Sequence, residues 1–115
     1  MELARIIFFT HDVRRMVDFY TAMFGLEIIG EFHEEWTELA AGGCNVAFHR
    51  THVQTDIRDD DGVKIAFGVD DVAKEKARLE SLGVDMAEIR RFGKVEMCDG
   101  SDPDGRRFQI SSRGT

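Results

Sequence analysis

The chain has 115 residues, 43% of them hydrophobic and 32% charged, with a formal net charge of −7. That is the size and makeup of one soluble domain, and the negative balance, with no dense Lys/Arg block against it, argues against a nucleic-acid partner. The longest apolar runs, such as Ile6-Ile7-Phe8-Phe9, are too short to span a bilayer, and the stretch around Glu2 and Arg5 lacks a signal-peptide core.

In chain order, the first strand falls around Arg5–Phe9, and Asp12 stands where it hands over to a helix, a residue type that caps free N–H groups of a first helical turn. Val13, Met16, Val17, Tyr20, Met23 and Phe24 recur at helical spacing and predict one apolar stripe ending at Gly25. Strands are predicted over Leu26–Phe32, Glu35–Ala40 and Cys44–Arg50, with Gly42-Gly43 as a hairpin turn. Residues 51–62 are polar and read as a linker. Its Asp59-Asp60-Asp61-Gly62 run lacks the alternation and closing Glu of an EF-hand, so it is expected to be solvated loop.

A second helix is predicted between Asp71 and Gly83, with a thinner stripe of Val72, Ala73, Ala77, Leu79 and Leu82. Strands over Val84–Ile89, Lys94–Cys98 and Arg106–Ser112 follow, with Asp102-Pro103-Asp104-Gly105 as a turn. The two halves repeat one another. Residues 5–13 read RIIFFTHDV and residues 64–72 read KIAFGVDDV, sharing Ile6/Ile65, Phe8/Phe67, Asp12/Asp71 and Val13/Val72. Each helix then ends in an apolar–Gly–apolar triplet, Phe24-Gly25-Leu26 and Leu82-Gly83-Val84. Cys44 and Cys98 are expected to be reduced core residues of a cytoplasmic protein.

Strand alternation sorts side chains into two faces. Ile6 and Phe8 oppose Arg5, Ile7 and Phe9, while Ile65, Phe67 and Val69 oppose Lys64, Ala66 and Gly68. Val46 and Phe48 oppose Asn45, Ala47 and His49, and Phe108 and Ile110 oppose Arg107, Gln109 and Ser111. The apolar faces are expected beneath the helices and the mixed faces lining a cleft. The predicted fold class is therefore α+β: two β-α-β-β-β modules (3–50 and 63–113, joined by 51–62) forming a curved mixed sheet with a concave ligand cleft and helices outside.

Asp12-Val13, Phe19-Tyr20, Phe24-Gly25-Leu26, Phe67, Asp70-Asp71-Val72, Leu79, Leu82-Gly83-Val84 and the Asp102–Gly105 turn, taken in order, resemble the vicinal oxygen chelate superfamily of glyoxalase I, extradiol dioxygenases and bleomycin-resistance proteins. The resemblance covers almost the whole chain and implies the fold, a homodimer and a small-molecule ligand. In metal-dependent members, His, Glu or Gln ligands project from the first and last strand of each copy. The matching positions here are Arg5, Lys64, Gln109 and, within a residue or two, Ala47.

Guanidinium and ammonium groups have no lone pair to give a metal at neutral pH. The expectation is therefore a metal-independent small-molecule-binding protein of the glyoxalase/bleomycin-resistance type, without cofactor or catalytic residue. Its ligand would be anionic or aromatic, and its site residues Arg5, Trp36, Glu38, His49, Lys64 and Gln109. Trp36 would be a stacking platform if it lies on the cleft face, otherwise core. Arg5 and Lys64 either meet an anionic ligand or form internal pairs with Glu38 or Glu96. Alternatives left open are a metal-dependent lyase or dioxygenase with a shifted ligand set (His49, Gln109, Glu38, Glu96), a metal-free acid/base catalyst, and a scaffolding subunit.

Overall fold

In the computed structural model, which describes residues 1–52, 62–101, 103 and 107–113, the first strand β1 (Glu2–Thr10) leads directly into helix α1 (Val13–Phe24). Asp12 starts that helix by accepting the Arg15 backbone N–H at 3.0 Å, and Gly25 ends it in the left-handed region at φ 67°. Strands β2 (Glu27–Ile29), β3 (Trp36–Ala40) and β4 (Asn45–Arg50) follow. They hydrogen-bond in the order β2-β3-β4-β1, with β1 and β4 parallel and the other pairs antiparallel.

The second module repeats this plan. Strand β5 (Val63–Gly68) precedes α2 (Val72–Ser81), whose N-cap Asp71 accepts the Lys74 N–H at 3.0 Å. Strands β6 (Asp85–Met86), β8 (Val95–Ser101) and β9 (Arg107–Ser111) complete the order β5-β9-β8-β6, again with the first and last strands of the module parallel. Chain contacts divide the molecule into residues 5–63 and a unit of residues 1–4 with 64–115. The α+β class and the two β-α-β-β-β modules are as the sequence implies.

Each module packs apolar side chains of one sheet face beneath its own helix, although Ile65, expected on that face, is 37% exposed. Val13 and Val17 of α1 pack with Leu39 and Phe48, flanked by Phe8, Tyr20 and Val46. Full burial of such side chains is worth about 1.5–3 kcal/mol each. In module two, Val72 packs with Val69, Cys98 and Ile110, flanked by Phe67, Leu79 and Phe108.

Several local expectations change. Met23 and Phe24 are exposed on the last turn of α1, where Phe24 meets only the Phe19 and Tyr20 rings of its own helix among the described ring contacts. Ala73 and Ala77 of α2 and its C-cap Leu82 are also exposed, leaving Val72 and Leu79 as the apolar contacts. The predicted strands at Leu26–Phe32 and Val84–Ile89 shrink to short edges. A further strand, β7 (Arg90–Phe92), forms a hairpin with β8, Phe92 opposite Val95. Gly93, at φ 62°, occupies the first turn position, as a two-residue II′ connection requires. Among the described residues the last strand ends at Ser111, one residue before the predicted Ser112, and β8 runs on to Ser101, three residues beyond the predicted Cys98. Most of the linker, including Asp59–Asp61, and all of the predicted Asp102–Gly105 turn except Pro103 lie outside the described residues.

Candidate functional site

The mixed face of module one forms a grid fixed by strand register. Arg5 stands beside Asn45, Ile7 beside Ala47 and Phe9 beside His49 on the parallel β1/β4 pair. On β3, Glu38 pairs with Ala47 and Trp36 with His49. Side chains alternate along a strand, so these residues share one side, opposite the helix-covered side.

Arg5 is 2% exposed, and its Nε donates to Glu38 Oε2 at 3.0 Å. The same carboxylate oxygen accepts Asn45 Nδ2 at 2.8 Å. A buried guanidinium cannot shed its proton, so it requires this carboxylate, and the amide supplies a further donor to the same anion. Further along the face three rings follow one another across three strands. The Phe9 and His49 centroids lie 5.3 Å apart, and Trp36 meets His49 edge-on at 5.8 Å.

The corresponding face of module two carries a different version of the device. Asp99 on β8 stands opposite Gln109, and Gln109 stands beside Ala66 on β5. Lys64 Nζ donates to Asp99 Oδ2 at 2.9 Å, and Gln109 Nε2 donates to Oδ1 at 3.3 Å. Arg90 on β7, mostly exposed, reaches the Oδ2 atom at 3.4 Å. Asp99 thus serves two cations and one amide.

Counting along each repeat makes Arg5 equivalent to Lys64, since each lies seven residues before its capping Asp. Register then equates Ala47 with Gln109 and Glu38 with Asp99. Ala47, one of the positions matched to the family's ligand set, is therefore the counterpart of Gln109, and it has no donor atom.

Arg5 takes Glu38 as its partner. Lys64 pairs with Asp99 rather than Glu96, because Glu96 lies three residues before Asp99 on β8 and points to the other side, where it pairs with Arg91 at 2.7 Å. Among the residues of the shifted ligand set, Glu38, Glu96 and Gln109 are thus already hydrogen-bonded inside their modules. Among the described residues, no group of three or more His, Cys, Asp or Glu is gathered where it could hold a metal ion. The sequence reading missed Asp99, because it ended that strand at Cys98. It also passed over Phe9, Asn45 and Arg90; alternation had already put Phe9 and Asn45 on the mixed face, whereas β7 had no signal.

Cys98 is fully buried and donates to the Ala87 carbonyl at 3.1 Å. Burial raises its thiol pKa above the ordinary range, the reverse of an activated nucleophile. No helix among the described residues is long and apolar enough to cross a membrane.

Paired β-α-β-β-β repeats, each with one face under a helix and one mixed face, define the architectural class of the chain. The family model described as Glyoxalase/Bleomycin resistance protein/Dioxygenase superfamily matches residues 2–110, and the chain belongs to that superfamily. No curated protein matches the sequence.

Solved structures share the fold. A methylmalonyl-CoA epimerase variant from Streptomyces coelicolor, in complex with 2-nitronate-propionyl-CoA, aligns with TM-score 0.78 at 22% identity over 100% of this chain and 99% of its own. The methylmalonyl-CoA epimerase of Mycobacterium tuberculosis gives TM-score 0.77 at 16% identity, over 96% of this chain and 86% of its own. A Legionella pneumophila chain described as an NAD-dependent benzaldehyde dehydrogenase gives 0.76 at 14% identity, over 93% and 96%. At these identities the likeness is one of fold.

Proposed function

We propose that this chain is a metal-independent small-molecule-binding member of its superfamily, with a ligand that is anionic or aromatic. One observation carries the reading: the repeat-equivalent positions Arg5 and Lys64 hold buried cations, each tied to a carboxylate of its own module. Neither group has an electron pair for a metal. The acids beside them, Glu38 and Asp99, are engaged as counter-ions. A family-type divalent cation does not fit this donor set, since it would have to displace a buried cation from its partner.

The preference for an anion rests on module two, where one carboxylate faces both Lys64 and the exposed Arg90. The aromatic preference rests on Phe9, His49 and Trp36. On this reading Arg5, Glu38, Lys64 and Gln109 shape and charge the mixed faces, Trp36 and His49 touch the ligand, and the chain works as one domain. We place it in the cytoplasm, where its two free thiols, Cys44 and Cys98, would stay reduced. A homodimer belongs to the same reading, because Phe19, Met23 and Phe24 leave an apolar surface at the end of α1. Light scattering that returned a monomer mass would remove it.

The central test is elemental analysis of purified protein, together with calorimetric titration of zinc, nickel and manganese. The expected result is no stoichiometric metal and no metal binding heat; one equivalent of tightly held metal overturns the reading. Native mass spectrometry of protein taken directly from cells should show a retained small molecule. The ligand of the Streptomyces complex, 2-nitronate-propionyl-CoA, is a suitable anionic probe.

A further inference from the structure

His49 is the middle ring of the Phe9–His49–Trp36 row and is itself exposed. Its Nδ1 lies 2.8 Å from the backbone oxygen of Arg50. A carbonyl oxygen only accepts, so Nδ1 must carry the hydrogen. In the neutral imidazole that fixes the other nitrogen, Nε2, as the one with an unshared pair. Among the described residues nothing donates to Nε2, although His49 is flanked by a ring on each side. The backbone contact therefore sets the tautomer, the neighbouring rings limit how far the imidazole can turn, and a hydrogen-bond acceptor is left available beside aromatic faces.

We infer that module one selects planar aromatic ligands bearing an O–H or N–H group, which packs on Phe9 and Trp36 while that group donates to His49 Nε2. The inference rests on the ligand-binding reading of the mixed face and narrows it to one chemical class and one accepting atom. A ring without the donor would make the same packing contacts and lose the hydrogen bond. One well-placed bond of this kind separates two otherwise matched ligands by about tenfold.

Phenol and anisole test this directly, since they differ by methylation of the one oxygen that donates. Each is titrated into the full chain, reading the fluorescence of Trp36, the only tryptophan, and the imidazole nitrogen resonances of His49. Phenol should bind about tenfold more tightly than anisole, and it should shift Nε2 while leaving Nδ1 in place. His49→Phe retains a ring and removes the acceptor; it should abolish the discrimination, so that phenol and anisole bind with equal affinity. Equal affinities in the native chain, discrimination that survives in H49F, or no saturable phenol binding would each overturn the inference. None of those results bears on the metal and retained-ligand measurements, which decide the broader reading separately.

Discussion

Module one and module two solve one electrostatic problem with different parts. Each places a cation on its first strand and an acid at the equivalent position two strands away in the sheet. Module one does so locally, with Arg5 and Glu38 buried and Asn45 half-buried. Module two uses Lys64 and Asp99, then adds an exposed Arg90 and the amide of Gln109. The difference teaches that the counter-ion is what the position needs, while the choice of cation sets how rigid the arrangement is. Guanidinium stays charged under all ordinary conditions, whereas a lysine ammonium can give up its proton when its partner is removed.

That distinction yields the largest expected effect. Glu38→Ala should destabilise the fold by about 3–5 kcal/mol, because Arg5 is left charged and buried. Asp99→Ala should cost less, about 2–3 kcal/mol, since the flexible Lys64 stem can carry its ammonium toward solvent. Urea denaturation of the two variants measures both. Equal losses in the two variants would break the comparison.

The helix-covered faces differ in a complementary way. Strand register equates Leu39 with Gly100 and Val46 with Phe108. Module one fills the place with Leu39 beside Val46, and module two with Phe108 lying across Gly100. A Cβ added at Gly100 would come within 2.5 Å of both Met86 Sδ and the Phe108 ring. Gly100→Ala should therefore cost about 1–3 kcal/mol. The double variant Gly100→Leu with Phe108→Val, which installs the module-one pair, should recover part of the loss that Gly100→Leu alone incurs. Thermal melts of the three variants sharpen or refute the equivalence.

Smaller effects follow at the shared punctuation. Asp12→Ala and Asp71→Ala each remove a side-chain acceptor at a helix start and should each cost about 1 kcal/mol, measurable by denaturation and similar in the two modules. The smallest effect belongs to Cys98, whose folded pKa is raised above 9.0 chiefly by burial. The native state holds that proton longer than the unfolded chain. Stability should therefore be level below the unfolded thiol pKa and decline as pH rises through and above it. Cys98→Val should remove that decline in a pH series of urea midpoints.

Much of the fold could be read in advance because its signals are local. Asp12 and Asp71 cap helices through their own side chains, and Gly25 tolerates a left-handed backbone. Alternation in β1, β4, β5 and β9 separates the faces without knowledge of any neighbour. The failures came where burial depends on what an element rests against. Met23 and Phe24 keep helical spacing but stay exposed. The β7 strand is a short charged segment whose existence depends on pairing with β8, and missing it hid Arg90 from view. Part of the candidate site was equally legible: Arg5, Lys64, Glu38 and Gln109 sat on predictable faces, but Asp99 required the true length of β8.

Sequence by itself determined that this protein is a duplicated β-α-β-β-β chain and that two cations stand at equivalent places in the copies. Those facts follow from periodicity and from residues that act on their own backbone. Only the tertiary structure decided which acid meets which cation, which ring flanks His49, and which of its nitrogens bears the hydrogen. These depend on strand register, in which a shift of one residue turns every side chain to the opposite face.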